Sequence, residues 1–289
     1  MLVLLGPGFA GADADYQRLA KVTGMVAYDL RARLKPGMWG LVKALADETE
    51  AQRLGASLAA EGFPIAVMPR EVATDHERPI VGLRGLSISE QGLTLQLSER
   101  SMAIPLAALC CIVRGEAQVG KGGMARPAGG AGAASSSTFR AVVPSASDLQ
   151  VFRESMSQTS FEAFAAADLH FHSVTWIARI DARSFDFKSL GVIAASPAGA
   201  LDMLVDQLGK MAGVRVDRAA RASSITSFIQ QAAKGMAGGS VPPPSHAAPH
   251  SQRPKEIAGD ERFDPYSRVV GEAERALAAQ VAAAAANRA

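Results

Sequence analysis

The fold of the first part of the chain is decided by residues 16–68, YQRLAKVTGMVAYDLRARLKPGMWGLVKALADETEAQRLGASLAAEGFPIAVM. Apolar residues recur there every three or four positions up to Gly24, and again up to Pro36. This period predicts two helices, over residues 13–23 and 25–35, because glycine and proline end helices.

Short apolar runs predict three strands in the same region, over residues 3–5, 38–45 and 63–68. Asp47 and Glu50 have the spacing of a capping box, which predicts a third helix that ends at Gly62. The first 70 residues are therefore predicted to form a module with the order β-α-α-β-α-β.

This order resembles the C-terminal domain of the bacterial ribosomal stalk protein. The matching features are a helix that ends at Thr23-Gly24, a second that stops at Pro36, and an acidic cap before the third. The resemblance covers about a quarter of the chain and implies the small α/β fold of that domain. In that family the paired helices recruit translation GTPases, and Arg18 and Lys21 lie on the matching first helix.

Residues 78–230 have a different pattern, in which short apolar or alternating runs are separated by turns. The pattern predicts about seven short strands, followed by an amphipathic helix over residues 197–212. This arrangement is similar in topology to a pleckstrin-homology-like barrel with its capping helix. The predicted class is α+β, with the small module followed by an antiparallel β-barrel or sheet domain that has a C-terminal helix.

Two segments rich in glycine, alanine, serine and proline are predicted to be flexible linkers, residues 115–137 and 231–259. The first interrupts the β-rich domain, and the second leads to a helix-prone tail over residues 260–289. An aromatic-anchored segment on a tether is typical of a docking peptide, which binds either its own chain or a partner. The residues assigned to docking are Phe263, Pro265, Tyr266, Val269 and Val270.

Two glycine motifs have the spacing of nucleotide-binding loops. Residues 6–11 match GxGxxG, but Asp29, at the spacing of a ribose-binding acid, falls inside a predicted helix. Residues 115–121 match GxxxxGK, but Gly122 stands where a phosphate loop needs serine or threonine. A turn and the start of a linker are the favoured interpretations, and no cofactor is predicted.

Asp168, His170 and His172 stand at alternate positions of a predicted strand, so their side chains face the same side. Imidazole and carboxylate groups placed in this way are candidate metal ligands. The alternative is a solvated strand face, with Leu169 and Phe171 pointing inward.

Composition limits the classes of function. Thirty lysines and arginines stand against 28 aspartates and glutamates, a net charge of +2 that predicts neither a nucleic-acid nor a membrane partner. The two cysteines, Cys110 and Cys111, are adjacent and poorly placed for a disulfide, which favours the cytoplasm. The sequence therefore favours a non-catalytic interaction or adaptor protein that binds a protein partner. The first alternative is a metal-dependent enzyme or metal-binding protein that uses Asp168, His170 and His172. The second is a translation-associated regulator that acts through the stalk-like module.

Overall fold

The computed structural model describes residues 1–75, 77–89, 92–121, 160–218, Ile225, Phe228 and 263–286. The residues up to Ala117 and from Phe164 onwards belong to one compact unit, and Gln118–Ala163 forms a second. In the second unit the described residues are the ends of two strands. The predicted linkers over residues 122–137 and 231–259 lie outside the described part of the chain.

The N-terminal module, residues 1–70, has the predicted order of elements. They are β1 (Leu2–Leu5), α1 (Asp13–Thr23), α2 (Ala27–Arg33), β2 (Gly40–Ala44), α3 (Glu48–Ala60) and β3 (Ile65–Met68). The strands form an antiparallel sheet in the order β2-β1-β3. Helix α2 is shorter than predicted, because Leu34 already has an extended backbone before Pro36 is reached.

Local sequence signals explain where these helices begin and end. Helix α1 ends at Gly24, whose φ of +69° is the left-handed conformation that glycine adopts most easily. Helix α3 begins after Asp47, whose Oδ1 accepts a hydrogen bond from the Glu50 amide at 2.7 Å. The helices cover one face of the sheet, and Leu19 and Leu58 are fully buried in the core between them.

Eleven strands are described in all, and those beyond the module divide between two sheets. They are β4 (Ile80–Leu83), β5 (Gly85–Ser89), β6 (Gly92–Gln96), β7 (Ser101–Ile104), β8 (Leu109–Lys121), β9 (Ser160–Phe171), β10 (Ile177–Asp181) and β11 (Arg215–Asp217). Strands β5, β6 and β7 form an antiparallel sheet, and the others form a five-stranded sheet in the order β11-β8-β9-β10-β4. Helix α4 (Pro197–Ala212) matches its predicted bounds, and α5 (Phe263–Ala286) is the last described element.

The α+β class is confirmed, but the described strands do not close into a barrel. The chain leaves the five-stranded sheet at Arg84 and enters the three-stranded sheet at Gly85. The larger sheet is also mixed rather than purely antiparallel, since β4 lies parallel to β10 and β11 lies parallel to β8. These parallel pairs join segments far apart in sequence, which the spacing of apolar runs does not indicate.

The prediction that the first linker begins at residue 115 is wrong. Residues 115–121 belong to β8, which is a neighbour of β9 in the five-stranded sheet. The two segments on either side of the interruption therefore contribute to one sheet.

The five-stranded sheet is buried on both faces. One face packs against the three-stranded sheet and against α4 through Leu201, Leu204 and Leu208. The other face shares a hydrophobic cluster with β1, β2 and β3 of the N-terminal module and with α5. In the part of the chain that the structure describes, no helix has both the length and the apolar run that crossing a bilayer requires.

Substitutions at two glycines of the N-terminal module allow the cost of backbone strain to be measured apart from the cost of a packing overlap. Gly11 and Gly24 both have positive φ, +74° and +69°, but a Cβ on Gly11 would overlap the Pro36 ring, whereas Gly24 has open space. We expect Gly24→Ala to cost about 1–2 kcal/mol of unfolding free energy and Gly11→Ala to cost about 1–3 kcal/mol more. Urea denaturation measures both variants, and equal losses would contradict a packing role for Gly11.

Candidate functional site

The C-terminal helix α5 packs against both the N-terminal module and the five-stranded sheet. Its apolar residues share one cluster with Leu4 and Trp39 of the module and with Val113 and Ala166 of the sheet. We call the surface that receives this helix the α5 dock. The polar members of the α5 dock are Trp39, Arg78, Asp168, His170, Arg179, Arg215 and Asp217.

The tail residues assigned to docking lie against their own chain. Four of them are fully buried: Phe263, Tyr266, Val269 and Val270. Pro265 is half-buried. The sequence left open whether the tail binds its own chain or a partner, and in the structure it binds its own chain.

Two glycines allow α5 to approach closely. A Cβ on Gly115 of β8 would overlap the Phe263 ring, and a Cβ on Gly271 of α5 would overlap the His170 imidazole. Gly115 is the first glycine of the GxxxxGK match, so its role here is to make room for an aromatic ring. The phosphate-loop interpretation is wrong on geometry as well, because residues 115–121 form a strand rather than a loop.

Arg179 and Asp168 form the most deeply buried ion pair in the dock. They stand opposite each other on β10 and β9, and the guanidinium Nε and Nη2 donate to the two carboxylate oxygens at 2.7 Å each. The remaining Nη1 lies 2.7 Å from Oδ1 of Asp264 on α5. Burial alone would lower the pKa of Arg179, but the two carboxylates outweigh it and hold the pKa above its ordinary value.

His170 lies beside this pair and faces α5. Its Nε2 is 2.9 Å from the Ser267 hydroxyl, and its Nδ1 has no hydrogen-bond partner among the described residues. Burial is the main cause that lowers the pKa of His170 from 6.5 to about 3, with Arg78, Arg179 and Arg268 adding to the effect and Asp168 opposing it. The imidazole is therefore neutral at physiological pH.

A second polar group fixes α5 at the edge of the sheet. The Tyr266 hydroxyl donates to Asp217 at 2.7 Å, and Arg215 pairs with the same carboxylate at 2.9 Å. Arg215 also pairs with Glu274 at 2.8 Å, and Glu274 accepts a hydrogen bond from the Trp39 indole at 2.7 Å. One carboxylate of α5 thus joins the N-terminal module to β11.

A third group holds the helix to the segment between the module and β4. Arg78 pairs with Glu272 at 2.8 Å, and burial lowers the pKa of Arg78. The Arg268 guanidinium donates to the backbone carbonyls of Asp75 and Arg78. Ion pairs and hydrogen bonds therefore accompany the apolar contacts of α5.

The three candidate metal ligands do not form a ligand set. Asp168 is paired with Arg179 and His170 with Ser267, while His172 lies just beyond β9 and is exposed. No group of three or more histidine, cysteine, aspartate or glutamate side chains suited to a metal occurs among the residues that the structure describes. The solvated-face alternative is also wrong, because α5 covers this side of β9.

The two basic residues predicted on α1 have different surroundings. Arg18 pairs with Asp15 at 2.8 Å, donates to the Glu61 carbonyl at 2.9 Å, and lies 4.8 Å from the centre of the Phe63 ring. Lys21 is exposed. Part of the charge of Arg18 thus stabilises the module itself, and the role of both residues in partner binding stays a prediction.

The GxGxxG match is a packed turn. The Gly6 amide donates to the Pro64 carbonyl at 2.7 Å, and the first turn of α1 carries Asp13 and Asp15. These two carboxylates would repel a pyrophosphate at the helix start. The geometry therefore agrees with a turn rather than a dinucleotide site.

The sequence prediction missed Arg179, Asp217 and Glu274. The sequence does contain one indication of a buried ion pair: Arg179 is a charged residue between Ala178 and Ile180 in an otherwise apolar strand. A charge in such a run is either paired or exposed at an edge. Its partner on β9 follows only from the strand pairing, and its partner on α5 only from the packing of that helix.

The buried ion pair and an exposed one on the same segment provide a matched comparison. We expect Arg179→Met to cost about 3–5 kcal/mol, because Asp168 and Asp264 would remain buried without their cation. Arg183→Met removes an ion pair to Asp181 that is partly open to water and should cost less than about 1 kcal/mol. Chemical denaturation of both variants measures the difference, and similar losses would contradict the assigned burial.

The neutral His170 predicts a pH dependence of stability. Its folded pKa of about 3 lies below the ordinary 6.5, so its contribution is complete above pH 6.5 and is lost as the pH falls toward 3. Between pH 6.5 and 5 the loss is about 1.6 kcal/mol.

The measurement is the free energy of unfolding of the parent and of His170→Asn at several pH values. Carboxylates contribute equally to both proteins, so the difference between the two slopes reports His170 alone. Parallel slopes would show that the imidazole is not held neutral beneath α5.

The chain was compared with three sets of known proteins. Neither the protein-family models, nor the curated proteins, nor the solved structures contain a match to the chain. The geometry of the α5 dock and the exposed surface of the chain are the remaining evidence on function.

Proposed function

We propose that this chain is a non-catalytic protein-interaction or adaptor protein. The observation that carries the proposal is how the buried side chains of Asp168, His170 and Arg179 are used. Arg179 pairs with Asp168 and with Asp264 of α5, and His170 lies 2.9 Å from the Ser267 hydroxyl of α5. A reactive centre needs polar side chains that converge on space for a substrate. These side chains instead make the contacts that hold a helix, as in recognition of a helix by a groove.

A surface of the N-terminal module supports a partner-binding role. Val26 and Tyr28 are 65% and 76% exposed at the start of α2, while Leu30 of the same helix is fully buried. Tyrosine is enriched at protein interfaces because its ring packs while its hydroxyl stays hydrogen-bonded. Lys21 at the end of α1 adds exposed positive charge. We assign partner binding to this Val26–Tyr28 surface and expect a protein with an apolar patch and acidic side chains.

The proposal places the protein in the cytoplasm. Cys110 and Cys111 are both free in the structure. A hydrogen bond with Cys110, together with burial, raises the pKa of the Cys111 thiol, which makes it unreactive. Free thiols of this kind persist in a reducing compartment.

Site-specific photo-crosslinking tests the Val26–Tyr28 surface. A photoreactive phenylalanine replaces Tyr28 in the full chain, expressed in its own cells, and the matched control carries it at Ile193, which is 88% exposed elsewhere. We expect a discrete crosslinked product from position 28 that is lost with Val26→Asp and absent from position 193. The same products from both positions, or none from position 28, would contradict the assignment.

A translation-associated role is the second candidate. The exposed Val26–Tyr28 surface lies on the paired helices α1 and α2, where the resemblance to the ribosomal stalk domain puts protein binding. In the same experiment, a crosslinked product that sediments with ribosomes favours this role. A product found only in ribosome-free fractions would contradict it and leave the general interaction role in place.

A further inference from the structure

The contacts of α5 follow the pattern by which a groove recognises a separate helix. Its buried apolar anchors recur along one face at a spacing of three or four residues. They are Phe263, Tyr266, Val269, Val270 and Ala273. Beyond residue 277 the helix is exposed along its remaining length, so the bound part ends well before the helix does.

The charges on the two sides of this interface are complementary. The dock presents Arg179, Arg215 and Arg78, which meet three acidic residues of α5. These partners are Asp264, Glu274 and Glu272, respectively, at 2.7, 2.8 and 2.8 Å. Complementary charge of this kind selects one helix over another more than it adds to affinity.

Two of the three dock arginines, Arg179 and Arg215, keep an ion pair without help from α5. Arg179 retains both hydrogen bonds to Asp168, and Asp217 retains its ion pair with Arg215. Arg215 also donates to the Gly37 carbonyl at 2.7 Å. Departure of the helix therefore leaves the Arg179 and Arg215 charges paired, while Arg78 loses its ion pair with Glu272.

The covalent connection also permits departure. Helix α5 follows residues 229–262, which lie outside the described part of the chain and could span roughly 110 Å if fully extended. No described strand or helix is joined to α5 by a short turn.

We propose that the α5 dock is a helix-binding site whose resident ligand is α5, and that it accepts in exchange an acidic amphipathic helix from a partner protein. The partner helix carries aromatic residues three positions apart, with an acidic residue directly after the first of them. This inference rests on the proposed interaction function and names a class of partner and its competitor. While α5 is bound, it blocks the site. Because α5 is part of the same chain, its effective concentration at the dock is high, and a partner helix must compete against it.

Fluorescence anisotropy with a labelled synthetic peptide of residues 260–289 tests the exchange. The proteins are the full parent chain and the full chain with Phe263→Ala and Tyr266→Ala, which weaken the resident helix and leave the dock unchanged. We expect the double variant to bind the peptide at least about tenfold more tightly than the parent. The matched control is Val281→Ser on the same helix, 64% exposed and outside the dock, which should bind as the parent does.

A second peptide tests the charge complementarity. A peptide with Asp264→Lys places a cation against Arg179 and should bind the double variant at least about tenfold more weakly than the unchanged peptide. Equal binding of both peptides, or no binding of either to a folded double variant, would overturn the proposal.

Nicked parent protein covers the case in which the double variant does not fold. A specific protease site is placed after residue 245 of the full chain and cleaved in the folded protein, and the labelled peptide is then added. Exchange with unchanged circular dichroism supports the proposal, and exchange only where the protein unfolds overturns it. Neither measurement involves the Val26–Tyr28 surface, so this inference and the crosslinking assignment fail independently.

Discussion

The ion pair between Arg179 and Asp168 determines how one face of the five-stranded sheet is used. Arg179 donates two charge-assisted hydrogen bonds at 2.7 Å to Asp168, which stands opposite it on the neighbouring strand, and both residues are buried completely. Burying either charge alone would be strongly unfavourable, so the pair must form together. Its remaining guanidinium nitrogen faces Asp264, which makes this face a selective surface for a helix rather than a purely apolar core.

The two faces of the same sheet serve different purposes. Strand β9 shows this directly, because Leu169 and Phe171 enter the core with α4, whereas Asp168 and His170 lie on the side that meets α5. The α4 side is apolar and tolerates many hydrophobic sequences of similar volume. The α5 side combines apolar anchors, paired charges and close glycine contacts, so its geometry accepts far fewer sequences.

Sequence patterns predicted the elements whose signals are local. The bounds of α1 and α4 follow from period, glycine and proline, and the cap at Asp47 follows from its spacing to Glu50. The strand over residues 115–121 was missed because its glycines suggest a linker, and the reason for Gly115 is the Phe263 ring, far along the chain. The barrel expectation failed for a related reason, since pairing of β4 with β10 is non-local. The spacing of Asp168 and His170 indicates that they share one side of β9. Their partners, however, depend on the strand register and on the packing of α5.

The last described helix also connects the first module to the rest of the unit. The Trp39 indole and Glu274 meet across 235 positions of sequence, and closing so long a loop costs conformational entropy before any contact repays it. The apolar anchors and ion pairs of α5 must offset that cost, and they meet a sheet face on which Arg179 and Asp168 are paired with each other. A helix so far along the chain, packed on a surface whose central ion pair forms without it, has the physical character of a ligand joined to its own receptor.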